Sequence, residues 1–170
     1  KTTPDCVPHY LDRKNVGLFT KHRVFTETEM HARYEIHLEN YCKVLNIEAL
    51  TMLDMVNKEI LPAVTGYIKE LCDAALTKRS LDAGISSEVE TSLAARLSAL
   101  SASLYKKTGD LNAALMGVKE HPDMEDCAMY YKDRVLVAMQ ETRAVADELE
   151  TLTAKKCWPF PTYGDILFSV

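Results

Sequence analysis

The sequence predicts an all-α protein: an antiparallel bundle of three to four long helices, followed by an extended C-terminal tail rich in aromatic residues and proline. Three observations predict it. Apolar residues recur at steps of three and four along most of the 170 residues, the spacing that gathers side chains on one face of a helix. Two Ser/Thr-x-x-Glu signatures stand where such periods begin. Strand-like alternation is absent, with a possible exception at residues 165–170.

The opening "KTTPDCVPHYLDRK" reads as loop, and the chain starts on Lys1 rather than Met. A piece of a longer polypeptide is the expectation. Residues 12–22 read as a short helix with Val16, Leu18 and Phe19 as its apolar positions. Thr26 and Glu29 have the spacing of a capping box, in which each side chain reaches the other's backbone N–H. From there Tyr34, Leu38, Tyr41, Leu45, Ala49, Met52, Val56, Ile60, Val64, Ile68, Leu71 and Ala75 follow one stripe. At roughly 1.5 Å per residue the helix they describe is longer than about 70 Å. Pro62 should bend or interrupt it, because its ring removes an internal hydrogen bond and crowds the carbonyl four residues back. The part beyond Pro62, or the short first helix, then supplies any fourth member of the bundle.

"SLDAGISSE" ends that run, with Gly84 available for a left-handed turn. Ser87 and Glu90 repeat the capping-box spacing. They open a helix carrying Val89, Leu93, Leu97, Leu100, Leu104, Leu111, Leu115 and Val118, weakened locally at Gly109. "EHPDMED" is a break and a restart. Pro122 suits a first helical turn, and Asp123, Glu125 and Asp126 complement the positive end of the helix dipole. The last helix is predicted over residues 123–155, with Cys127, Tyr131, Val135, Ala138, Thr142, Val145, Leu149 and Leu152 inward. Pro159 and Pro161 then exclude an ordinary helix across the start of the tail. The domain plan is a linker and short helix at 1–25, the bundle at 26–156 and the tail at 157–170.

Composition excludes several functions. Hydrophobic residues at 47% and charged ones at 26% place the chain among globular rather than disordered proteins. A net charge of −5, with Lys and Arg never more than two in a row, argues against a nucleic-acid partner. The uncharged stretch at 60–68 is too short for a membrane span and contains Pro62. Cys6, Cys42, Cys72, Cys127 and Cys157 are odd in number and form no CxxC pair, which suits isolated thiols in a reducing, cytoplasmic setting.

Chemistry is thinly represented. No P-loop, GxGxxG, GxSxG or HExxH motif is present. His31, Glu35 and Glu39 stand four apart and share a helix face, the one grouping suited to a metal. Bundle di-metal proteins use Glu-x-x-His, however, and that spacing does not occur in this chain. A solvated, ion-paired face is the simpler expectation. His37 reads as a surface histidine near Tyr34 or Tyr41. Met52, Met55, Tyr130 and Tyr131 read as core or near-core, and Cys157 as a buried structural thiol. No catalytic, cofactor-binding or metal residue is assigned.

Two blocks carry a family resemblance. "RYEIHLENYCKVLNIEALTMLDMVNKEILPAV" at 33–64 and "CWPFPTYGDILF" at 157–168 resemble the C-terminal portion of type III glutamine synthetase, the long-chain bacterial form of that enzyme. "NVGLFTKHRVFTETEMHARYE" at 15–35 is similar to the segment preceding the first block there. The resemblance implies a parent enzyme that joins glutamate and ammonia using ATP, with Mg²⁺ or Mn²⁺ among carboxylates upstream of these 170 residues. It also implies that residues up to about Leu50 complete the catalytic region, that the bundle is an appended structural element in a large homo-oligomer, and that the fragment alone is inactive. The alternative is a free-standing helical interaction module. In the tail, Trp158, Phe160, Tyr163, Ile166, Leu167 and Phe168 are the expected packing or interface residues. The tail is expected to strap across the short first helix and the catalytic body, or across a neighbouring subunit.

Overall fold

The computed structural model describes residues 2–161 and 163–168, with the backbone alone for Tyr163. The chain is all-α, its helices pack as a bundle, and no strand occurs among the described residues. The alternation read at 165–170 is overturned in part, since Tyr163–Leu167 forms a short helix, α8. Residues 169–170 lie outside the described residues.

The opening is helical rather than loop. Helix α1 spans Thr3–Cys6, and a 3₁₀ turn follows over Val7–Leu11. The Asp5 carboxylate accepts the Thr2 N–H at 2.9 Å and its hydroxyl at 3.0 Å, and Pro4 sits in the first turn, where a missing N–H costs nothing. Helix α2, Arg13–Lys21, matches the short helix predicted there. Its inner residue is Phe19, packed between the rings of Tyr10 and Phe25; Leu18 is exposed. The chain then turns through Arg23, whose φ of 55° is left-handed.

Helix α3 runs Glu27–Met55. Its capping box forms as predicted: Thr26 N–H and hydroxyl both donate to Glu29, and Glu29 N–H donates to the Thr26 hydroxyl. The buried stripe begins one turn earlier than the sequence suggested, at Met30. Pro62 neither breaks nor separates the helix. One π-helical turn, Val56–Ile60, joins α3 to α4, Leu61–Leu81, with helical dihedrals at both joints. Leu61 N–H reaches back five residues to the Val56 carbonyl, so the ladder is already widened where the proline ring must fit. The part beyond Pro62 is thus not a fourth member.

Helix α5 spans Glu88–Gly117. Here three expectations fail. Ser87 and Glu90 do not cap each other, because the preceding helix claims both: Arg79 donates to the Ser87 hydroxyl at 2.9 Å and Lys78 to Glu90 at 2.5 Å. Gly84 keeps a negative φ, and its N–H is held by the Asp82 carboxylate at 2.7 Å. Val89, placed inward by the period, is 74% exposed.

Past a 3₁₀ turn at Val118–Glu120, Asp123 is the N-cap of α6, Met124–Tyr130, accepting from the N–H groups of Glu125 and Asp126. Pro122 therefore lies just outside the helix instead of in its first turn. A second π turn, Tyr131–Val135, leads into α7, Leu136–Leu152, which ends three residues before the predicted limit. Both π turns begin and end on buried residues four apart, Val56 with Ile60 and Tyr131 with Val135. A strict step of four drifts around an α-helix of 3.6 residues per turn; the wider π turn returns both residues to the core side.

The chain forms two compact units, Lys1–Thr51 with Leu111–Met139, and Met52–Asp110 with Gln140–Val170. In the second, Val56, Ile60, Val64, Leu97, Leu104 and Leu149 make an aliphatic core. Ion pairs over it show the helix directions: Arg96 meets Glu148 and Lys107 meets Glu141, so α5 and α7 are antiparallel. Thr142, a polar residue at a core position, donates to the Lys107 carbonyl at 3.4 Å. In the first unit Met30, Leu38, Cys42, Leu45, Ala49, Leu111, Ala128, Tyr131, Val135 and Met139 are buried. Tyr34 to Glu125 and Tyr131 to Asn46 join α3 and the α6 region, which run parallel, while Tyr130 reaches the Ala114 carbonyl of antiparallel α5.

Candidate functional site

Two places gather the side chains that bear on function. The first is a polar seam in the first unit. Lys132, in the π turn after α6, donates to Asp5 at 2.6 Å and so fastens the N-terminal helix. The bond from Lys132 and those from Thr2 hold the Asp5 carboxyl well below the usual carboxylate range, and Asp5 in turn raises the Lys132 ammonium. Beside this pair stand Tyr41, Cys42, Cys127 and Tyr131. Burial, reinforced by Cys127, pushes the Cys42 thiol up to about 12. Burial likewise raises the phenols of Tyr41 and Tyr131, and, with Glu125 accepting its hydrogen bond, takes Tyr34 to about 12. Burial thus favours the neutral thiol of Cys42 and the neutral phenols of Tyr34, Tyr41 and Tyr131, and the hydrogen bonds of the seam join the helices. Sequence reasoning missed Asp5 and Lys132. A signal existed, because Thr2-x-x-Asp5 with Pro4 is itself a helix-start signature.

The second place is the tail. After α7 the backbone turns back on Ala154, whose carbonyl accepts from both Cys157 and Trp158. Lys156 pairs with Glu70 of α4 at 2.7 Å. Trp158 and Phe160, edge to face with centroids 6.3 Å apart, are partly buried against the aliphatic core of the second unit. Ile166, Leu167 and Phe168 are 60%, 70% and 79% exposed, and Lys155 pairs with Asp165 at the base of α8. The Tyr163 side chain lies outside the described residues. Cys157 is half-buried; among the described residues the buried thiol is Cys42.

The remaining candidates stay apart. His31, Glu35 and Glu39 are exposed on α3, and Glu39 is taken by Lys43 at 2.6 Å. His37 is exposed, as expected, and lies edge-on to the Tyr10 ring. Among the described residues no three His, Cys, Asp or Glu side chains converge as a metal site. The described residues therefore do not fit a divalent cation. No helix among them is long and apolar enough to cross a membrane.

Comparison with known proteins adds to this geometry. Residues 1–79 match the family model of the glutamine synthetase C-terminal domain. Over its whole length the chain is 36% identical to a glutamine synthetase of Butyrivibrio fibrisolvens, covering 24% of that protein. It is 28% identical to the type-3 glutamine synthetase of Dictyostelium discoideum and 24% identical to a glutamine synthetase of Bacteroides fragilis, in each case over 98% of this chain and 23% of the relative. The chain thus spans about a quarter of the length of these relatives. Residues 1–79 are thus similar to the glutamine synthetase C-terminal domain, and the alignments carry a similarity to glutamine synthetases along the rest of the chain.

Proposed function

We propose that this chain is the helical C-terminal domain of a type III glutamine synthetase and that it acts there as a structural element. The observation that carries the proposal is the alignment of all 170 residues at 36% identity with only 24% of a glutamine synthetase. The geometry supports it. Shifted polar groups such as Asp5 with Lys132 and Tyr34 with Glu125 join helices, and aliphatic side chains fill the core of each unit.

In the parent enzyme ATP and Mg²⁺ or Mn²⁺ act upstream, where amide formation from glutamate and ammonia takes place. Residues 1–25 are the joint to that region, 26–156 the body and 157–170 the tail. The working assembly is a cytoplasmic homo-oligomer, in which the exposed Ile166, Leu167 and Phe168, with Tyr163, contribute contacts to the catalytic body or a neighbouring subunit.

The test compares the full-length parent with the 170-residue chain in an ATP-dependent glutamine-forming assay. Turnover is expected from the first alone; glutamine made by the short chain above background sinks the proposal. Light scattering on the parent lacking residues 157–170 should show smaller assemblies, and an unchanged oligomer would remove the tail's role.

A further inference from the structure

Helix α3 carries apolar side chains on two faces. The inner face is Met30, Leu38, Cys42, Leu45 and Ala49, all buried. The outer one is Ile36, Val44, Ile47 and Leu50, exposed by 59%, 44%, 63% and 52%. At about 100° per residue these four fall within an arc of about 120° that points roughly opposite the core stripe. They cover about 20 Å of helix.

Single exposed aliphatic residues are ordinary, but four aligned on one face form a patch. Asn40 and Lys43 stand within the stripe, Lys43 turned to its edge by the pair with Glu39 at 2.6 Å, and Glu35 and Glu48 are exposed at the rims. The outer positions of α7 show what a solvated face of this chain looks like, with Arg143 and Asp147 paired there.

Two observations identify the occupant. The chain covers 24% of the Butyrivibrio relative, so about three quarters of such a polypeptide lies outside these residues. The domain it matches is the C-terminal one, which puts that remainder on the side of residue 1, and α3 begins at Glu27 in the same compact unit. A partner tethered this closely acts at an effective concentration on the order of millimolar, whereas a second copy must be met by diffusion.

We propose that Ile36, Val44, Ile47 and Leu50 form the seat on which the upstream part of the glutamine synthetase polypeptide docks, through an apolar surface with a basic rim that complements Glu35 and Glu48. The proposal rests on the chain being the C-terminal domain of that enzyme.

The experiment uses the full-length parent. Ile47→Cys and, separately, Val44→Cys are labelled with a maleimide beside a Leu81→Cys control, whose native side chain is 79% exposed. Labelling is read by peptide mass. Both seat positions should react about tenfold or more slowly than the control in the native enzyme and equally in urea. A photoreactive benzoylphenylalanine at Ile47 should cross-link to upstream peptides. Labelling as fast as the control overturns the proposal. So does protection with cross-links confined to residues 1–170 of a second copy. Glutamine synthesis by the unsubstituted parent is measured alongside. If it is absent, the parentage has failed; if it is present while the seat is unprotected, only the docking has failed.

Discussion

In the unit built from Lys1–Thr51 and Leu111–Met139, helices are tied by half-buried phenols and one charged pair: Tyr34 to Glu125, Tyr131 to Asn46, Tyr130 to Ala114 and Lys132 to Asp5. In the unit of Met52–Asp110 and Gln140–Val170 the enclosed cluster is purely aliphatic, and the ties across it are largely exposed ion pairs such as Arg96 with Glu148 and Lys156 with Glu70. Exposed pairs contribute little, about 0–1 kcal/mol each. The second unit therefore depends on aliphatic volume. The first depends in addition on hydroxyl groups held at fixed positions.

The largest effect should follow from breaking the aliphatic side of this contrast. Leu104→Ala or Leu149→Ala, both fully buried, should each cost about 2–5 kcal/mol in urea denaturation. A loss below about 1 kcal/mol, the range of surface changes, would show that the cluster does not carry the unit.

Next come two glycines in α5, one in each unit. A Cβ on Gly117 would meet the Tyr130 hydroxyl at 2.3 Å, on a ring already bonded to Ala114 and stacked on His121. Gly117→Ala should destabilise by about 1–3 kcal/mol. Gly109 has nothing within 4 Å of the same position, and Gly109→Ala should stabilise by about 0.5–1 kcal/mol. Calorimetry showing the same sign for both substitutions would contradict the close packing of Tyr130.

The smallest and most local effect concerns Asp5 and Lys132. The Asp5 carboxyl is lowered on folding, so its contribution is complete above the ordinary value of about 4 and is lost as pH falls through the folded value. Lys132 is raised, so its contribution is complete below about 10.4 and lost as pH rises through its own folded value. Proteolytic protection of residues 3–11 should thus hold on the plateau between and fade on both sides. Lys132→Met should flatten that profile, and an unchanged profile would show that another contact holds α1.

Much of this fold was legible because its signals are local. The Thr26–Glu29 box, the Asp123 start and the steps of three and four each involve groups within one or two helical turns. The same local grammar misled at Ser87 and Glu90, where Lys78 and Arg79 compete for the side chains. At Pro62 the sequence left two outcomes open, and the π turn resolved them. Of the expected contact residues, the tail's Trp158 and Phe160 lie against the aliphatic core, while the outer stripe of α3 was hidden within a period counted for its inner face.

The sequence by itself determined the long helical segments, where most of them start, and most of the stripe each turns inward, because backbone hydrogen bonds and side-chain periodicity act over a few residues. Only the tertiary structure decided that Asp5 meets Lys132 from 127 residues away, that Tyr34 meets Glu125, and that the tail's first two aromatic rings settle on a core assembled from three separate helices. Those choices depend on which surfaces lie within a few ångströms once the helices have packed, and no local rule encodes that distance.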